Sequence, residues 1–417
     1  MDKKNIAIIG AGISGLVSAY LLSRRHNVVL LEKNDYIGGH TATVDVTLEG
    51  TEYAVDTGFI VFNDRTYPNF IKLISQLGVE SKPTEMSFSV SNQATGLEYN
   101  GHDLNTLFAQ RSNLLSPKFY KFLYEIMRFN RLCKGAVTKQ MPVVTLGDFL
   151  AHHGFSEYFQ QHYILPMGAA IWSTSIAGMR DFPLEFFLKF FLNHGLLDVA
   201  NRPQWYVIKG GSRSYVEPLL NASNAEVRTG VKIAKVTRGT SDATLTYVDG
   251  AEEAYDEVVF ACHSDETLAL LEDATAAEKA ILSDLKYKDN EVILHTDTRL
   301  LPENKRAWAS WNYLLGAGDD ALPQLTYNMN ILQGLSSKHT FCVSLNAKDK
   351  IAPEKILRSF NYAHPQYTTS AAAAQQRWNE ISGVGHTHFC GAYWFNGFHE
   401  DGVSSALRVA EAFGERL

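Results

Sequence analysis

The chain has 417 residues, more than one hydrophobic core normally organises, and 45% of them are hydrophobic, enough for about two domains. Its formal charge is only −7, with no lysine-arginine run and no acidic tail, which argues against a nucleic-acid partner. The four cysteines, Cys133, Cys262, Cys342 and Cys390, are far apart and form no Cys-x-x-Cys, so neither a disulfide framework nor a structural zinc site has support and a reducing cytoplasm fits.

In chain order, the first predicted element is a short buried strand over residues 6–9 that ends at Gly10-Ala11-Gly12-Ile13-Ser14-Gly15, with a helix after it. Lys3-Lys4 ahead of an apolar stretch imitates an export signal. The three glycines interrupt that stretch at nucleotide-motif spacing, and no small-residue cleavage pattern precedes Arg24-Arg25, so none is expected. In a strand-turn-helix unit Gly10 permits the tight turn, Gly12 lets the backbone approach a pyrophosphate, and Gly15 lets the helix pack on the strand. The unpaired N–H groups of the helix start then hold the anion. A second strand over 28–31 ends at Glu32, placed for the adenosine ribose hydroxyls, with Lys33 beside it. Gly38-Gly39-His40-Thr41, followed by Thr43, adds a second close backbone approach with polar groups next to it. A bare Gly-x-Gly-x-x-Gly reads equally well as an ordinary turn. The flanking strand and helix, the acidic residue 22 positions after Gly10 and the glycine pair favour a nucleotide.

Together these residues resemble the flavin-containing amine oxidase and phytoene desaturase superfamily, in which the glycine doublet is followed by Arg or His and then Thr; the cofactor so implied is FAD. The resemblance continues at Val55-Asp56-Thr57-Gly58-Phe59, similar to the segment beneath the isoalloxazine, and at Lys209-Gly210-Gly211-Ser212. It closes at Phe389-Cys390-Gly391-Ala392-Tyr393-Trp394 and at the run Gly397-Phe398-His399-Glu400-Asp401-Gly402-Val403, similar to the strand and helix that return to the flavin. The wording of that last run is similar to a bacterial subgroup of NAD/FAD-binding proteins associated with modified fatty acyl chains. Specific motifs lie in roughly the first 65 and last 30 residues, and weaker ones around 205–262. Val231 matches a family valine that touches adenine through its backbone.

The implied fold is α/β: an FAD-binding Rossmann-like domain, a doubly wound parallel sheet, with an inserted α+β substrate domain. The FAD-binding segments are expected at 1–65, 205–275 and 385–417, and the substrate segments at 66–204, mostly helical, and 276–384. Periodicity predicts helices over 119–133, 145–153, 184–197 and 371–381, and strands over 225–228, 231–237, 243–247, 255–260, 291–296 and 340–346.

For chemistry, Asp401 is a candidate N-cap for a last helix opened by Gly402 and Val403, whose positive end would face the flavin. An ordinary capped helix is the plainer alternative. Tyr393, Trp394, Phe395 and Phe398 are candidate walls of the cavity over the ring. His399 is a candidate proton donor or acceptor with Glu400 to orient it; otherwise both only hydrogen-bond the cofactor or each other. Glu291, in Asn290-Glu291-Val292, stands where the resemblance places a flavin-facing lysine, which weakens the case for amine oxidation. Tyr393 likewise replaces a usual glutamate, and Cys390 does not match the family's attachment cysteine. The aromatics Phe186, Phe187, Phe190 and Phe191 recur along one predicted helix face and, with Trp172, could line an acyl tunnel or simply form a core. His386-x-His388 has no third ligand, so no metal is read.

No second glycine motif houses NADPH, which leaves oxygen, a diffusible acceptor or return of the electrons to the product. The expected function is an FAD-dependent oxidoreductase removing hydride from a C–H bond of a mainly apolar, lipid-like substrate, such as a desaturase of a modified fatty acyl chain. Amine oxidation and a non-catalytic flavin-binding role are the alternatives. No stretch is long enough to span a membrane, and a peripheral membrane contact stays open.

Overall fold

Strand β1 (Asn5–Ile9) is buried from its second residue on, as expected of a strand covered on both faces. It pairs in parallel with β2 (Asn27–Leu31), whose other edge takes β3 (Glu226–Arg228). On its far side β1 pairs with β4 (Glu257–Phe260), and β4 with β5 (Thr387–Phe389), again in parallel. Ile8 therefore sits between Leu30 and Val259 in a five-stranded sheet drawn from three remote parts of the chain. The computed structural model describes residues 2–136, 144–172, 174–198, 202–315 and 324–417.

Two helices close one side of this sheet. Ile13–Leu22 follows β1 directly, and the C-terminal helix, His399–Ala412, lies against it. Contact is close because Gly402 has no side chain: a Cβ there would lie 2.5 Å from Ile13 Cγ2. Ser14 Oγ also donates to the Gly402 carbonyl at 3.0 Å. Beside the sheet, Ile233–Arg238, Ala243–Tyr247 and Glu252–Tyr255 form an antiparallel meander. Turns at Gly239 and at Asp249-Gly250 close its two hairpins.

A second sheet has seven strands in the order Ile356–Pro365, Tyr287–His295, Cys342–Leu345, Gln324–Asn328, Trp311–Leu314, Phe88–Asn92, Leu97–Asn100. Phe88–Asn92 pairs in parallel with Trp311–Leu314, so strands from before and after residue 205 share one sheet. Helices pack against it, including Pro117–Ala136, Leu165–Trp172 and Leu184–Asn193, around a core rich in phenylalanine. The chain is thus a mixed α/β protein with one parallel and several antiparallel or mixed sheets.

The helices predicted over 119–133, 145–153 and 184–197 appear as Pro117–Ala136, Leu146–His152 and Leu184–Asn193. The predicted 371–381 helix stops at Gln376 and gives way to a single tight turn, Trp378–Glu380. Five strands of the second sheet, Phe88–Asn92, Leu97–Asn100, Trp311–Leu314, Gln324–Asn328 and Ile356–Pro365, had no sequence-based expectation. No helix among the described residues is long and apolar enough to cross a membrane.

Candidate active site

The turn after β1 shows why each glycine is there. Gly10 has φ +105°, outside the range side chains favour, and its N–H donates to the Leu31 carbonyl at 2.8 Å, tying the ends of β1 and β2. At Gly15 a Cβ would lie 1.9 Å from the Gly10 carbonyl oxygen. Gly12 differs from both: its φ of −74° suits any residue, and nothing lies within 4 Å of where its Cβ would be. No side chain caps the helix that starts at Ile13, and no acidic residue sits in its first turn. Its leading N–H groups and positive end are therefore left for an anion.

The second glycine pair closes on this turn, since Gly38 donates its N–H to the Ala11 carbonyl at 2.9 Å and Gly39 lies against Gly12. Glu32 is buried at the end of β2. Its Oε2 accepts the Ala11 N–H at 2.8 Å, and its Oε1 accepts both the backbone N–H and the side-chain amide of Asn34. Val231 donates its N–H to the Glu32 carbonyl, which brings the predicted adenine contact beside the predicted ribose contact. Lys33 points outward into an ion pair with Glu266.

Residues 40–43 and 56–59 run side by side, with the Phe59 N–H on the His40 carbonyl at 2.7 Å and the Thr57 N–H on that of Ala42. Gly58 makes this possible: a Cβ there would be 2.2 Å from the His40 carbonyl oxygen. Thr57 Oγ1 meets Tyr362 OH at 2.9 Å. Thr43 Oγ1 and both the N–H and Oγ of Ser212 donate to Asp56 Oδ1 at 2.6 to 3.0 Å, while Asp56 Oδ2 is buried with no partner. Burial pushes the Asp56 carboxyl up to about 6, against an ordinary 3.8.

Between about pH 4 and pH 6 the folded state keeps the Asp56 proton and the unfolded state does not, so stability falls as pH rises through that window. About two pKa units correspond to roughly 3 kcal/mol. Denaturant midpoints should accordingly drop between those pH values, and Asp56→Asn, which retains an acceptor, should flatten the slope.

At the other end of the chain, Gly391 (φ +154°) donates its N–H to Ser405 Oγ at 2.9 Å, joining the exit of β5 to the C-terminal helix. That helix begins at His399, three residues before the predicted start, with Phe398 as its cap. Asp401 is thus not the N-cap. It is the third helical residue, and its carboxylate reaches back to accept the Phe398 N–H at 2.8 Å, which completes the cap from inside. Burial raises the Asp401 carboxyl to about 7. Gly402 and Val403 are buried within the first turn against the helix that follows β1.

His399 stacks flat on Phe59, with centroids 3.6 Å apart and planes 6° apart, and its Nε2 is 2.8 Å from Tyr215 OH, which in turn meets Thr41 Oγ1 at 2.5 Å. Burial, with the His40 ring nearby, lowers His399 to about 3, so it is neutral near pH 7. Glu400 does not reach His399. It accepts the N–H groups of Asn69 and Phe70 and the Asn69 amide, pinning the C-terminal helix to the Pro68–Gln76 helix. Trp394 is buried against Tyr393. Glu291 pairs with Asn361 in the second sheet, partly exposed and 3.4 Å from Lys348, while its neighbour Asn290 is the one that meets His364.

Several residues of this region went unread in the sequence: Tyr215, His263, Tyr287, Tyr362, His364 and Tyr367. The His40 ring lies 5.3 to 6.1 Å from those of Tyr362, His364 and His263, and His263 stacks on Tyr287 at 4.0 Å. Tyr215 alone had a usable signal, four residues after the Gly210-Gly211 turn. The others come from strands and loops brought together by tertiary packing, with His40 more than two hundred residues from His263, Tyr362 and His364.

The residues present fit FAD. An uncapped helix start faces open space at Gly12, a buried carboxylate ends β2, and two buried polar atoms near the C-terminal helix, His40 Nε2 and Tyr367 OH, have no hydrogen-bond partner. No group of three metal-ligating side chains occurs among the described residues.

A family described as flavin-containing amine oxidoreductase matches residues 13–329, about three-quarters of the chain. No curated protein sequence matches it. Among solved structures the chain is similar to an assigned protoporphyrinogen oxidase of Exiguobacterium sp. 255-15, at 17% identity and a TM-score of 0.71 over 99% of both chains. It is also similar to a fatty acid isomerase of P. acnes that produces CLA, at 15% identity and a TM-score of 0.68 over 98% of both. A third is the cyclohexylamine oxidase of Brevibacterium oxydans IH-35A, at 15% identity and 0.69, covering 99% of this chain and 100% of the other. At such identities the likeness shows the fold.

Proposed function

This chain belongs to the flavin-containing amine oxidoreductase family and is an FAD-dependent oxidoreductase, and from that premise we propose that it dehydrogenates a mainly apolar substrate, such as a modified fatty acyl chain. Residues 1–65, 205–275 and 385–417 form the FAD-binding part, and 66–204 and 276–384 the substrate part. Bound FAD supplies an acceptor for two electrons.

The chain's own groups bind and orient. Gly12, Ile13 and Ser14 present N–H groups to the diphosphate, Glu32 and Val231 hold the adenosine end, and His40, Thr41 and Thr43 stand along the segment between. Thr57, Gly58, Phe59, Gly391, Asp401, Gly402 and Val403 hold the ring end. His399 keeps Phe59 flat through its stack and is itself held by Tyr215, which makes it a positioning residue. Glu400 fixes the helix that carries it.

The observation that carries the substrate class is an unbroken aromatic wall. Trp172 touches the rings of Phe182, Phe186 and Phe190 at 4.5 to 6.1 Å; Phe186 stacks on Tyr367, and Phe190 stacks on Phe398. Phe398 caps the C-terminal helix and precedes His399, so the wall runs from the phenylalanine-rich core to the proposed ring site. Packed aromatic side chains of this kind favour a hydrocarbon chain alongside them and exclude water. Glu291, ion-paired to Lys348, puts a carboxylate where the resemblance places a flavin-facing lysine, which weighs against amine oxidation. The four cysteines, all without a disulfide, support the cytoplasm as the compartment.

Anaerobic mixing of the FAD-loaded protein with fatty acyl chains, free or in phospholipid, is expected to bleach the oxidised-flavin absorbance. Putrescine and cyclohexylamine should leave it unchanged. Bleaching by the amines alone would replace this reading with amine oxidation.

A further inference from the structure

Exposed apolar side chains are unevenly placed on this protein. Of the eleven large hydrophobic residues exposed among the described residues, six fall between positions 104 and 127: Leu104, Leu114, Leu115, Tyr120, Tyr124 and Met127. Leu115 is 89% exposed, and Leu104 75%. Tyr120, Tyr124 and Met127 recur at helical spacing on Pro117–Ala136, so they share one stripe, opposite a face that buries Phe119, Phe122 and Phe129. The loop before the helix joins the same surface, because Tyr120 OH donates to the Leu114 carbonyl at 3.1 Å.

Charge is concentrated there too. Residues 104–136 carry six basic side chains and one acidic, a net +5 in a chain of −7. The acidic one, Glu125, is buried, accepting the N–H and hydroxyl of Ser156. Some of the basic groups are engaged: Lys134 pairs with Asp198, and Lys118 lies over the Tyr158 ring. Lys121 and Arg131, beside Tyr120, Tyr124 and Met127, make no ion pair among the described residues.

We propose that the 104–131 surface docks onto an anionic lipid bilayer, with Leu115 and Leu104 entering the acyl boundary, Tyr120 and Tyr124 at headgroup level, and Lys121 and Arg131 on lipid phosphates. A patch of exposed leucine, tyrosine and methionine flanked by unpaired cations is what an interfacial element needs, and its net positive charge matches an anionic surface, whereas two copies of it face to face would repel. The surface stands without the substrate assignment, because vesicle binding is measured with no turnover. Its helix buries its other face in the same core as Trp172, so docking would bring a bilayer beside the aromatic wall.

Co-sedimentation of the FAD-loaded full chain with vesicles of phosphatidylglycerol and phosphatidylcholine tests this. Binding is expected, weakening with added salt, and about tenfold stronger than to phosphatidylcholine alone. The double variants Lys121→Glu/Arg131→Glu and Tyr124→Ser/Met127→Ser should each lose about tenfold in vesicle affinity while keeping the flavin spectrum and thermal midpoint of the wild type. No association with anionic vesicles, or wild-type binding by both variants, overturns the proposal. So does a wild-type dimer that the Tyr124→Ser/Met127→Ser change converts to monomer without affecting vesicle binding, since the patch would then be covered by a second copy. Bleaching of the flavin by acyl chains in a protein that ignores vesicles would refute docking alone.

Discussion

Gly12→Ala is expected to fold as the wild-type chain does and to emerge colourless. Its backbone, at φ −74°, accepts any side chain, and the added methyl would meet nothing in the protein within 4 Å. What the methyl would meet is the proposed diphosphate, where close backbone approach is the whole reason for a glycine. Loss of FAD affinity by about 100-fold or more, roughly 3 kcal/mol, with an unchanged thermal midpoint of the apo-protein, is the outcome to look for. Gly15→Ala is the contrasting case. There the methyl would lie 1.9 Å from the Gly10 carbonyl oxygen, so the turn itself must open and stability falls along with FAD binding. Equal destabilisation by the two changes would mean that Gly12 serves packing and not a ligand.

Trp172→Ala carries the second large effect. The indole is buried among Phe182, Phe186, Phe187, Phe190 and Phe191, with ring centroids 4.5 to 6.3 Å away. Truncating it leaves a cavity that packed neighbours only partly fill, at a cost of about 3–5 kcal/mol. Trp172→Phe keeps most of the volume and should cost far less. If an acyl chain runs along this wall, KM for long-chain substrates rises in Trp172→Ala, while the rate of flavin reduction at saturation changes little. Stability loss with unchanged KM would make Trp172 a core residue only.

The parts of the fold legible in the sequence are those whose signal is local. β1, the glycine turn and the helix after it occupy eighteen consecutive residues, and Gly15 answers a contact within that stretch, the Gly10 carbonyl. The second sheet was hidden for a physical reason. Its middle strands bury polar side chains that satisfy one another, with Ser89 donating to Asn312 at 2.9 Å and Ser344 Oγ within 2.8 Å of both Thr326 Oγ1 and His295 Nε2. Phe88–Asn92 and Gln324–Asn328 do alternate apolar and polar residues, but over only five positions each, and their polar members are buried, so neither run stands out as a strand with one solvated face. Phe88–Asn92 and Trp311–Leu314 are also paired across more than two hundred residues, a register no window of sequence contains.

The site shows the same division. Glu32, Gly38 and Gly39 were legible because the nucleotide turn is written in order along the chain, whereas Tyr215, His263 and His364 reach His399 and His40 only through tertiary packing. The C-terminal helix starts one turn before the cap expected at Asp401 because its start at His399 is set by Phe398, an aromatic anchored on Phe190, and not by a polar cap residue.

The most direct measurement is the electron density of a crystal of the FAD-loaded chain. The account predicts the diphosphate against the N–H groups of Gly12, Ile13 and Ser14, the ribose at Glu32, and the ring beside the Phe59–His399 stack, near Thr57-Gly58 and the first turn of the C-terminal helix. Density for FAD elsewhere, or side chains filling the space at Gly12 in the loaded protein, would contradict it.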